Sequence, residues 1–283
     1  MERGGTDRGR LRLCATPIGN LEDITLRALE ALREADVVAA EDTRRTRRLL
    51  SRYDIHTPMV SYREDNREAA GRRLLGRLER GETVALVSDA GMPGISDPGH
   101  HLVVKCIELG IPVEALPGPS AAFCALVVSG LPTARFAFEG FLPRKPGPRR
   151  RALESVSSDG RTLVFYESPV RLADALGDML AVFGDRRAAV ARELTKKFEE
   201  VSRGRLDELA GAFASREVKG EIVIVVEGAR PAAAGPEEME RAVEEVLRLK
   251  EEGMSLKDAA AAVAAEARPP ISRNALYNAA AGK

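Results

Sequence analysis

The most informative segment of the sequence is Thr83-Val84-Ala85-Leu86-Val87-Ser88-Asp89-Ala90-Gly91-Met92-Pro93-Gly94-Ile95-Ser96-Asp97-Pro98-Gly99. Its first six residues are a short, mostly apolar run that predicts a buried strand, and residues 99–109 continue as a predicted helix. Between them lies a loop rich in glycine and proline. In open α/β sheets, ligands bind at the carboxyl end of such a strand, so this loop is expected to border a binding site.

Short apolar runs alternate with helical patterns on both sides of this stretch. Further strands are predicted at 11–16, 37–40 and 112–115, and further helices at 25–32, 46–53 and 66–80. Strands separated by helices predict βαβ units and a mostly parallel sheet that is buried on both faces. We assign residues 11–132 to a first α/β domain. The Gly- and Arg-rich residues 1–10 before it are expected to form a disordered tail.

A second α/β set begins at Phe136, and we assign residues 133–228 to a second domain. Its predicted strands are 162–166, 188–192 and 221–226, and its predicted helices are 170–183 and 206–213. Residues 229–236 have the low-complexity composition of a linker. The fold class is therefore α/β with two α/β domains.

The remaining residues, 237–283, predict a small helical unit. Its helices are expected at 237–252, 255–265 and 272–280, the last two capped by Ser255 and Ser272. Short helices joined by tight turns are typical of a helix-turn-helix that contacts nucleic acid. A helical brace, packed on its own domain or on a dimer partner, is the alternative interpretation.

Composition limits the function classes. The chain has 283 residues, 44% of them hydrophobic, with 43 Lys and Arg against 43 Asp and Glu. An anionic partner must therefore be attracted by a local basic patch rather than by the net charge. No segment approaches the about 20 apolar residues that span a bilayer, so we expect a cytoplasmic protein.

The cysteines and histidines predict neither a disulfide nor a metal site. Cys14, Cys106 and Cys124 each lie within an apolar run and lack the paired spacing of metal ligands, which indicates reduced thiols. The three histidines, His56, His100 and His101, show no ligand spacing and no acid partner. A metal centre or a Ser/His/Asp mechanism therefore receives no support.

The loop at residues 88–99 favours a particular class of ligand. Asp89 and Asp97 place carboxylates there, while no lysine follows the glycines as a phosphate-binding loop would require. The loop suits a ligand with a positive charge and hydroxyl groups better than a polyphosphate, and S-adenosylmethionine has both. A simple tight turn is the alternative interpretation of the same residues.

Two other loops follow predicted strands. Residues 116–122 join a strand to a helix, with Ser120 in position to cap that helix. Residues 15–25 carry the polar side chains Thr16, Asn20 and Asp23. Any one loop could be only a turn, but three loops that converge at the strand ends would form a site.

Basic residues form two clusters. Arg44, Arg47 and Arg48 follow the carboxylates Glu41 and Asp42 and are spaced i, i+3 and i+4, so they share one helix face that could contact phosphates. A solvated charged helix is the alternative. The second cluster lies in a Pro- and Gly-containing segment where we predict an RNA-binding arm, and comprises Arg144, Lys145, Arg149, Arg150 and Arg151.

Taken together, these segments resemble the tetrapyrrole-methylase-like superfamily and, within it, the ribosomal RNA small subunit methyltransferase I family of 16S rRNA cytidine 2′-O-methyltransferases. The resemblance covers residues 11–228 in order. Its motifs are residues 15–25, 41–48, 88–99, 117–122, 138–145, 166–171, 192–195 and 219–221. The tail, especially residues 274–277, is similar to the helical C-terminus of that family.

The resemblance implies that S-adenosylmethionine is held in the cleft between the two domains, commonly in a homodimer. Residues carried over to the methionine and ribose side of the cofactor are Asp89, Gly91, Pro93, Ile95 and Asp97, with Ser120 and Ala121 beside them. Tyr166, Leu194 and Gly220 would approach from the second domain, near the adenine. The implied substrate is a cytidine ribose in the decoding region of the 30S subunit, with no DNA and no membrane as partner.

A ribose hydroxyl is a poor nucleophile, so a nearby base would help methyl transfer. Our candidates are Asp23, Glu41 and Asp42, while Arg44 and Arg47 are assigned to phosphate positioning. Two other functions stay open: a small-molecule methyltransferase acting on a tetrapyrrole or corrinoid, and a non-enzymatic RNA-binding assembly factor. The basic clusters argue against the first, and the loop at residues 88–99 argues against the second.

Overall fold

The computed structural model describes residues 9–230, 234–267, 269 and 271–282. Most of the predicted N-terminal tail (1–8) and part of the predicted linker (231–233) lie outside these residues. The described chain divides into two compact units, one of residues 9–157 with 161–227 and the other of residues 158–160 with 228–282. Both α/β sheets belong to the first unit, and a division of that unit near residue 132 stays a prediction.

The first sheet has five parallel strands in the order β3-β2-β4-β1-β5. Their bounds are β1 Leu11–Cys14, β2 Val37–Ala40, β3 Met59–Ser61, β4 Val84–Val87 and β5 Val113–Leu116. The predicted parallel sheet is confirmed, and β2 and β4 are buried throughout. No sequence pattern predicts β3, because this edge strand is three residues long and only half-buried.

Five helices connect these strands and lead out of the sheet. Their bounds are α1 Leu26–Glu34, α2 Thr43–Arg52, α3 Arg67–Glu79, α4 Gly99–Glu108 and α5 Ala121–Ser129. Helix α5 packs its buried side on the second sheet, where Ala125 and Leu126 join one core cluster with Val164 and Val223. This packing explains why both sheets belong to one compact unit.

The second sheet is mixed, with the order β6-β7-β10-β8-β9. Its strands are β6 Phe136–Phe141, β7 Thr162–Glu167, β8 Arg187–Arg192, β9 Glu200–Arg205 and β10 Ile222–Val226. Only β6 and β7 pair in parallel, while β10 lies antiparallel to both β7 and β8. Strand β9 is absent from the predicted strands, since it is a sheet edge rich in charged residues and lacks an apolar run.

Three helices belong to this half, α6 Pro146–Ser155, α7 Leu172–Phe183 and α8 Leu206–Ala214. The predicted loop over Arg149–Arg151 is wrong, because these residues lie in α6. Arg149 is buried, and its Nε donates to the Asp178 carboxylate on α7 at 2.6 Å. Backbone N–H groups in the first turn of a helix have no partner within the helix, and proline lacks this group. Pro146 and Pro148 therefore favour the start of α6 and not an extended loop.

The second unit contains α9 Pro236–Glu251, α10 Leu256–Glu266 and α11 Arg273–Ala281, which share a small core around Val246 and Leu276. The predicted helical C-terminus is confirmed. Ser255 and Ser272 accept from the backbone N–H groups of Asp258 and Ala275, as helix caps do. Within the part of the chain that is described, no helix combines the length and apolar character needed to cross a membrane.

Candidate active site

A cavity of about 360 Å³ lies at the carboxyl ends of the first-sheet strands, between the two sheets of the larger unit. Its first-half lining consists of Ile18, Glu41, Arg45, Ser88, Asp89, Ala90, Gly91, Met92, Ile95, Ser96, Asp97, Ser120 and Ala121. Its second-half lining consists of Phe141, Tyr166, Glu167, Ser168, Pro169, Ala191, Leu194, Gly220, Glu221, Ile222 and Val223. The volume is within the range of small-ligand and cofactor sites.

The register of β2 against β4 builds one wall. Ala40 pairs with Val87, so the residues that follow these two strands emerge side by side. The backbone N–H of Asp42 donates to the Asp89 carboxylate at 2.8 Å, and the Asp89 N–H makes a longer bond of 3.4 Å to the Glu41 carboxylate. These bonds hold the carboxylates of Glu41 and Asp89 at the cavity.

The loop at residues 88–99 is braced from within. The Asp97 carboxylate accepts the N–H groups of Gly94 and Gly99 at 2.8 Å, and burial raises its pKa although these bonds oppose the shift. Gly91 has a φ of +81° and exchanges backbone hydrogen bonds with Thr16. Backbone hydrogen bonds therefore join two of the three predicted loops directly. The positive φ at Gly91, which glycine adopts without strain, allows the loop at residues 88–99 to make this contact.

Both halves of the cavity include backbone held in an uncommon conformation. Glu193 and Thr195, which flank the lining residue Leu194, have φ values of 52° and 65°, and the lining residue Ser96 has a φ of 64°. Among the described non-glycine residues only Asp54 shares this feature. Such backbone strain costs about 1–3 kcal/mol per residue and clusters at binding and catalytic sites.

The first-half wall is acidic. Burial raises the pKa of Glu41, and the neighbouring carboxylates of Asp89 and Asp97 add to the shift. Arg45, the one cation among the described lining residues, lies 3.8 Å from Asp89 and 3.9 Å from Glu221, at the outer limit of ion pairing. The first-half loops thus offer negative charge, whereas Ala191, Leu194, Ile222 and Val223 give the opposite wall an apolar patch.

The structure brings together nine of the ten residues predicted to bind the cofactor. Those lining the cavity are Asp89, Gly91, Ile95, Asp97, Ser120, Ala121, Tyr166, Leu194 and Gly220. Pro93 is buried within its loop and does not line the cavity. Ser120 occupies the N-cap position of α5, but its side chain makes no capping hydrogen bond, so that part of the prediction is wrong.

The three candidate bases lie at different places in the structure. Glu41 lines the cavity, whereas Asp42 and Asp23 do not. Asp42 caps α2 by accepting the Arg44 N–H at 2.8 Å, and hydrogen bonds from Arg44 lower its pKa to about 2. Asp23 ends a short 3-10 turn, with one carboxylate oxygen buried and unpaired among the described residues.

The predicted phosphate contacts lie in two places. Arg44, Arg47 and Arg48 are exposed on α2, which starts two residues after the cavity residue Glu41. Arg144 and Lys145 are exposed just before α6 and follow the lining residue Phe141. Arg45, Phe141 and Glu167 also line the cavity but were not predicted, because each sits inside a motif whose other members carry the stronger signals.

A family model described as tetrapyrrole (corrin/porphyrin) methylases matches residues 10–210. The chain belongs to this family. Within the family it groups with curated relatives named ribosomal RNA small subunit methyltransferase I. The relative from Halalkalibacterium halodurans is 54% identical over 222 residues, covering 78% of this chain and 77% of the relative. The relative from Escherichia coli O157:H7 is 46% identical over 273 residues, covering 95% and 94% of the two chains.

Solved structures confirm the tetrapyrrole-methylase fold. Uroporphyrin-III C-methyltransferase from Thermus thermophilus, complexed with S-adenyl homocysteine, superposes with a TM-score of 0.55 at 24% identity. The match covers 77% of this chain and 97% of the other. At that identity the likeness concerns the fold alone.

Replacing Gly220 with alanine is expected to weaken binding of S-adenosylhomocysteine by about tenfold or more, which corresponds to about 1.4 kcal/mol. Gly220 has a φ of +100°, and an added Cβ would lie 2.3 Å from the Glu193 carboxylate. That carboxylate accepts the N–H of Glu221, another lining residue, so the cavity wall must shift. Calorimetric titration measures the change.

The matched control is Gly177→Ala on α7, where an added Cβ meets nothing within 4 Å. This variant should bind S-adenosylhomocysteine like the parent protein, since Gly177 is not among the residues that line the cavity. Equal affinities for the Gly220 variant and the parent would show that this wall does not contact the cofactor.

Proposed function

We propose that this chain is an S-adenosylmethionine-dependent methyltransferase that methylates a cytidine 2′-hydroxyl in the decoding region of 16S-type rRNA within the small ribosomal subunit. The observation that carries the proposal is that a basic helix, α2, starts directly at an acidic cavity in a chain whose relatives bear an rRNA methyltransferase name. The bacterial cytoplasm, where such subunits are assembled, is the compartment that follows.

The lining residues fit S-adenosylmethionine by their chemistry. Carboxylates at Asp89 and Asp97 favour the ammonium and sulfonium charges, because opposite charges within a partly buried site attract strongly. The apolar patch around Leu194 and Val223 suits the adenine ring. When bound, the cofactor supplies an electrophilic methyl group on a sulfonium.

Each proposed residue role follows from its position. Glu41 accepts the proton of the ribose 2′-hydroxyl, since it is the candidate base that reaches the cavity. Five exposed cations bind phosphates of the flanking nucleotides, and such contacts do not distinguish one base from another. These cations are Arg44, Arg47, Arg48, Arg144 and Lys145. The walls exclude water and align the hydroxyl with the methyl group, which provides much of the catalysis.

The proposal is tested by incubating the purified protein with methyl-labelled S-adenosylmethionine and unmethylated 30S subunits, naked 16S rRNA or a tetrapyrrole precursor. Nuclease digestion and mass spectrometry then locate the label. A 2′-O-methylcytidine in 30S subunits is expected. Label on the tetrapyrrole alone would favour the small-molecule alternative, and cofactor binding without any transfer would favour the non-enzymatic assembly factor.

The double charge reversal Arg47→Glu/Arg48→Glu is expected to raise KM for 30S subunits and to leave cofactor affinity unchanged. For each phosphate that the variant no longer binds, the slope of log affinity against log salt should decrease by about one unit. Filter binding across a salt series measures this slope.

The matched control is Arg72→Glu/Arg73→Glu on α3, which changes the net charge equally at two adjacent, exposed arginines. If both variants bound 30S subunits with equally reduced affinity, the effect would come from net charge and the assignment of α2 to phosphate contacts would be wrong. The homodimer and the role of the C-terminal helices, as nucleic-acid contact or as brace, stay predictions.

A further inference from the structure

A β-bulge near the end of β6 turns Phe141 onto the sheet face that borders the cavity. Successive side chains of a strand point to opposite faces, so Phe138 and Phe141, three residues apart, would ordinarily lie on different faces. The pairing of β6 with β7 shifts register between Phe138 and Gly140, and Gly140 has a φ of +64°. Both phenylalanine rings therefore lie edge-on to the ring of Tyr166, with centroids 4.9 and 5.5 Å from it.

Phe141 lies at the rim of the cavity. It is a lining residue, yet its exposed fraction is 55%. Ile95 lines the cavity from the first half and is 46% exposed. Their chain neighbours Gly140 and Ser96 are close together, since a Cβ added to Gly140 would lie 3.4 Å from Ser96 Oγ. The two halves thus form an apolar rim, Phe141 with Ile95, where the cavity meets solvent.

This rim fits the base of an RNA nucleotide better than the adenine of the cofactor. Leu194 and Val223, which form the patch suited to adenine, are buried, whereas Phe141 is open to solvent. The exposed cations Arg144 and Lys145 follow Phe141 closely along the chain. An exposed aromatic ring followed by cations is typical of proteins that bind unstacked bases, because the ring contacts the base and the cations contact its phosphates.

Methylation of a ribose within folded RNA requires an accessible nucleotide, and a base that leaves its stack loses contacts that the protein must replace. We propose that Phe141 receives the base of the methylated nucleotide, with Ile95 beside it, and thereby holds the attached ribose at the cavity. Every base has an aromatic face, so this contact positions the nucleotide and does not select among bases. The inference rests on the proposed function.

The test compares the parent protein with Phe141→Ala on 30S subunits reconstituted with cytidine or with an abasic ribonucleotide at the mapped position. The abasic nucleotide keeps its 2′-hydroxyl. On cytidine, kcat/KM should fall about 5- to 150-fold in the variant, the range that stacking of one base on an aromatic ring provides. On abasic subunits the two proteins should work at the same rate, because the ring has no base to contact. Phe141→Tyr keeps a ring and should methylate cytidine nearly as fast as the parent.

Phe123→Ala is the matched control. Phe123 is also 55% exposed, and its ring lies edge-on to Phe136 with centroids 5.4 Å apart, but it is not among the residues that line the cavity. This variant should methylate cytidine as the parent does. The affinity of Phe141→Ala for S-adenosylhomocysteine should equal that of the parent, since the patch suited to adenine is buried elsewhere in the cavity.

A measurement on the parent alone keeps the inference decidable if Phe141→Ala folds poorly. Subunits that carry 5-iodocytidine at the mapped position are irradiated in the presence of the parent and S-adenosylhomocysteine, and mass spectrometry locates the cross-link. The cross-linked residue should be Phe141. A cross-link at another residue alone, or none from subunits that the parent methylates, would contradict the inference.

The inference is also overturned if Phe141→Ala slows methylation of abasic and cytidine subunits by the same factor, or if Phe123→Ala is as slow on cytidine as Phe141→Ala. A loss of S-adenosylhomocysteine affinity of about tenfold in Phe141→Ala would place the ring at the cofactor and overturn it as well. A parent protein that binds S-adenosylhomocysteine but methylates no cytidine in 30S subunits would instead overturn the proposed function itself, and the inference with it.

Discussion

Replacing Glu41 with glutamine is expected to lower kcat on 30S subunits by about 10²- to 10⁴-fold, the range that a positioned general base contributes. Of the three candidate bases, Glu41 alone lines the cavity. Glutamine keeps the size of the side chain and removes its ability to accept a proton. Single-turnover rates at saturating cofactor measure the chemical step directly.

The pH dependence gives a second measurement on the same variant. Burial first, then the charges of Asp89 and Asp97, raise the pKa of Glu41, so the base is lost to protonation at a higher pH than an ordinary glutamate would be. The parent rate should therefore fall as the pH drops through this raised pKa. In Glu41→Gln the residual rate should no longer follow that step.

The Glu41→Gln variant should lose activity without losing thermal stability at neutral pH. The pKa of Glu41 is raised in the folded state, so the fold favours the protonated carboxyl. Its contribution to stability is therefore complete below the ordinary glutamate pKa, and it is lost as the pH rises through the raised pKa. The neutral glutamine removes this loss, so thermal unfolding at neutral pH should occur at the same temperature as in the parent or higher. A lower unfolding temperature would mean that the loss of activity reflects damage to the fold.

Asp42→Asn and Asp23→Asn are the matched controls. Asparagine caps a helix about as well as aspartate, so Asp42→Asn should keep α2 intact and retain most of the activity. If Asp23→Asn removed the pH step and Glu41→Gln did not, the base would be Asp23.

The parts of this fold that could be predicted from sequence are those with local signals. Apolar runs at 37–40 and 84–87 predict buried strands, and Ser255 and Ser272 mark helix starts through their capping bonds. The loop at 88–99 is predicted as a site because its position at a strand end follows from that alternation alone. Nine of the ten cofactor residues line the cavity, but those ten were implied by the family resemblance and not by the alternation of strands and helices.

What could not be predicted depends on contacts between distant residues. Arg149 belongs to a Pro- and Gly-rich segment that indicates an exposed loop, and only the position of Asp178 on α7 explains its burial. Asp97 carries a carboxylate suited to a cation, yet much of its bonding capacity braces its own loop. The orientation of Phe141 depends on the shifted register of β6 against β7, which no local pattern indicates.

Removing the carboxylate of Asp178 is expected to lower the free energy of unfolding by about 3–5 kcal/mol, the usual cost of leaving a buried charge without its partner. The side chains of Asp178 and Arg149 are 5% and 4% exposed, and their ion pair measures 2.6 Å. Arg150, the second partner at 2.7 Å, is exposed, so Arg150→Ala should cost at most about 1 kcal/mol. Urea denaturation of Asp178→Ala and Arg150→Ala measures both.

The double variant Arg149→Met/Asp178→Leu separates the cost of an orphaned charge from the value of the pair. Two apolar side chains leave no charge behind, so most of the stability lost in Asp178→Ala should return.

Acid should also act differently on the parent and on this double variant. Burial opposes ionisation of Asp178, but hydrogen bonds from Arg150 and Arg149 outweigh it and lower its pKa, so this carboxylate stabilises the parent at neutral pH and loses that effect as the pH falls through the lowered pKa. The double variant lacks this acid-sensitive contribution, and an equal loss of stability in acid for both proteins would mean that the pair contributes little to folding.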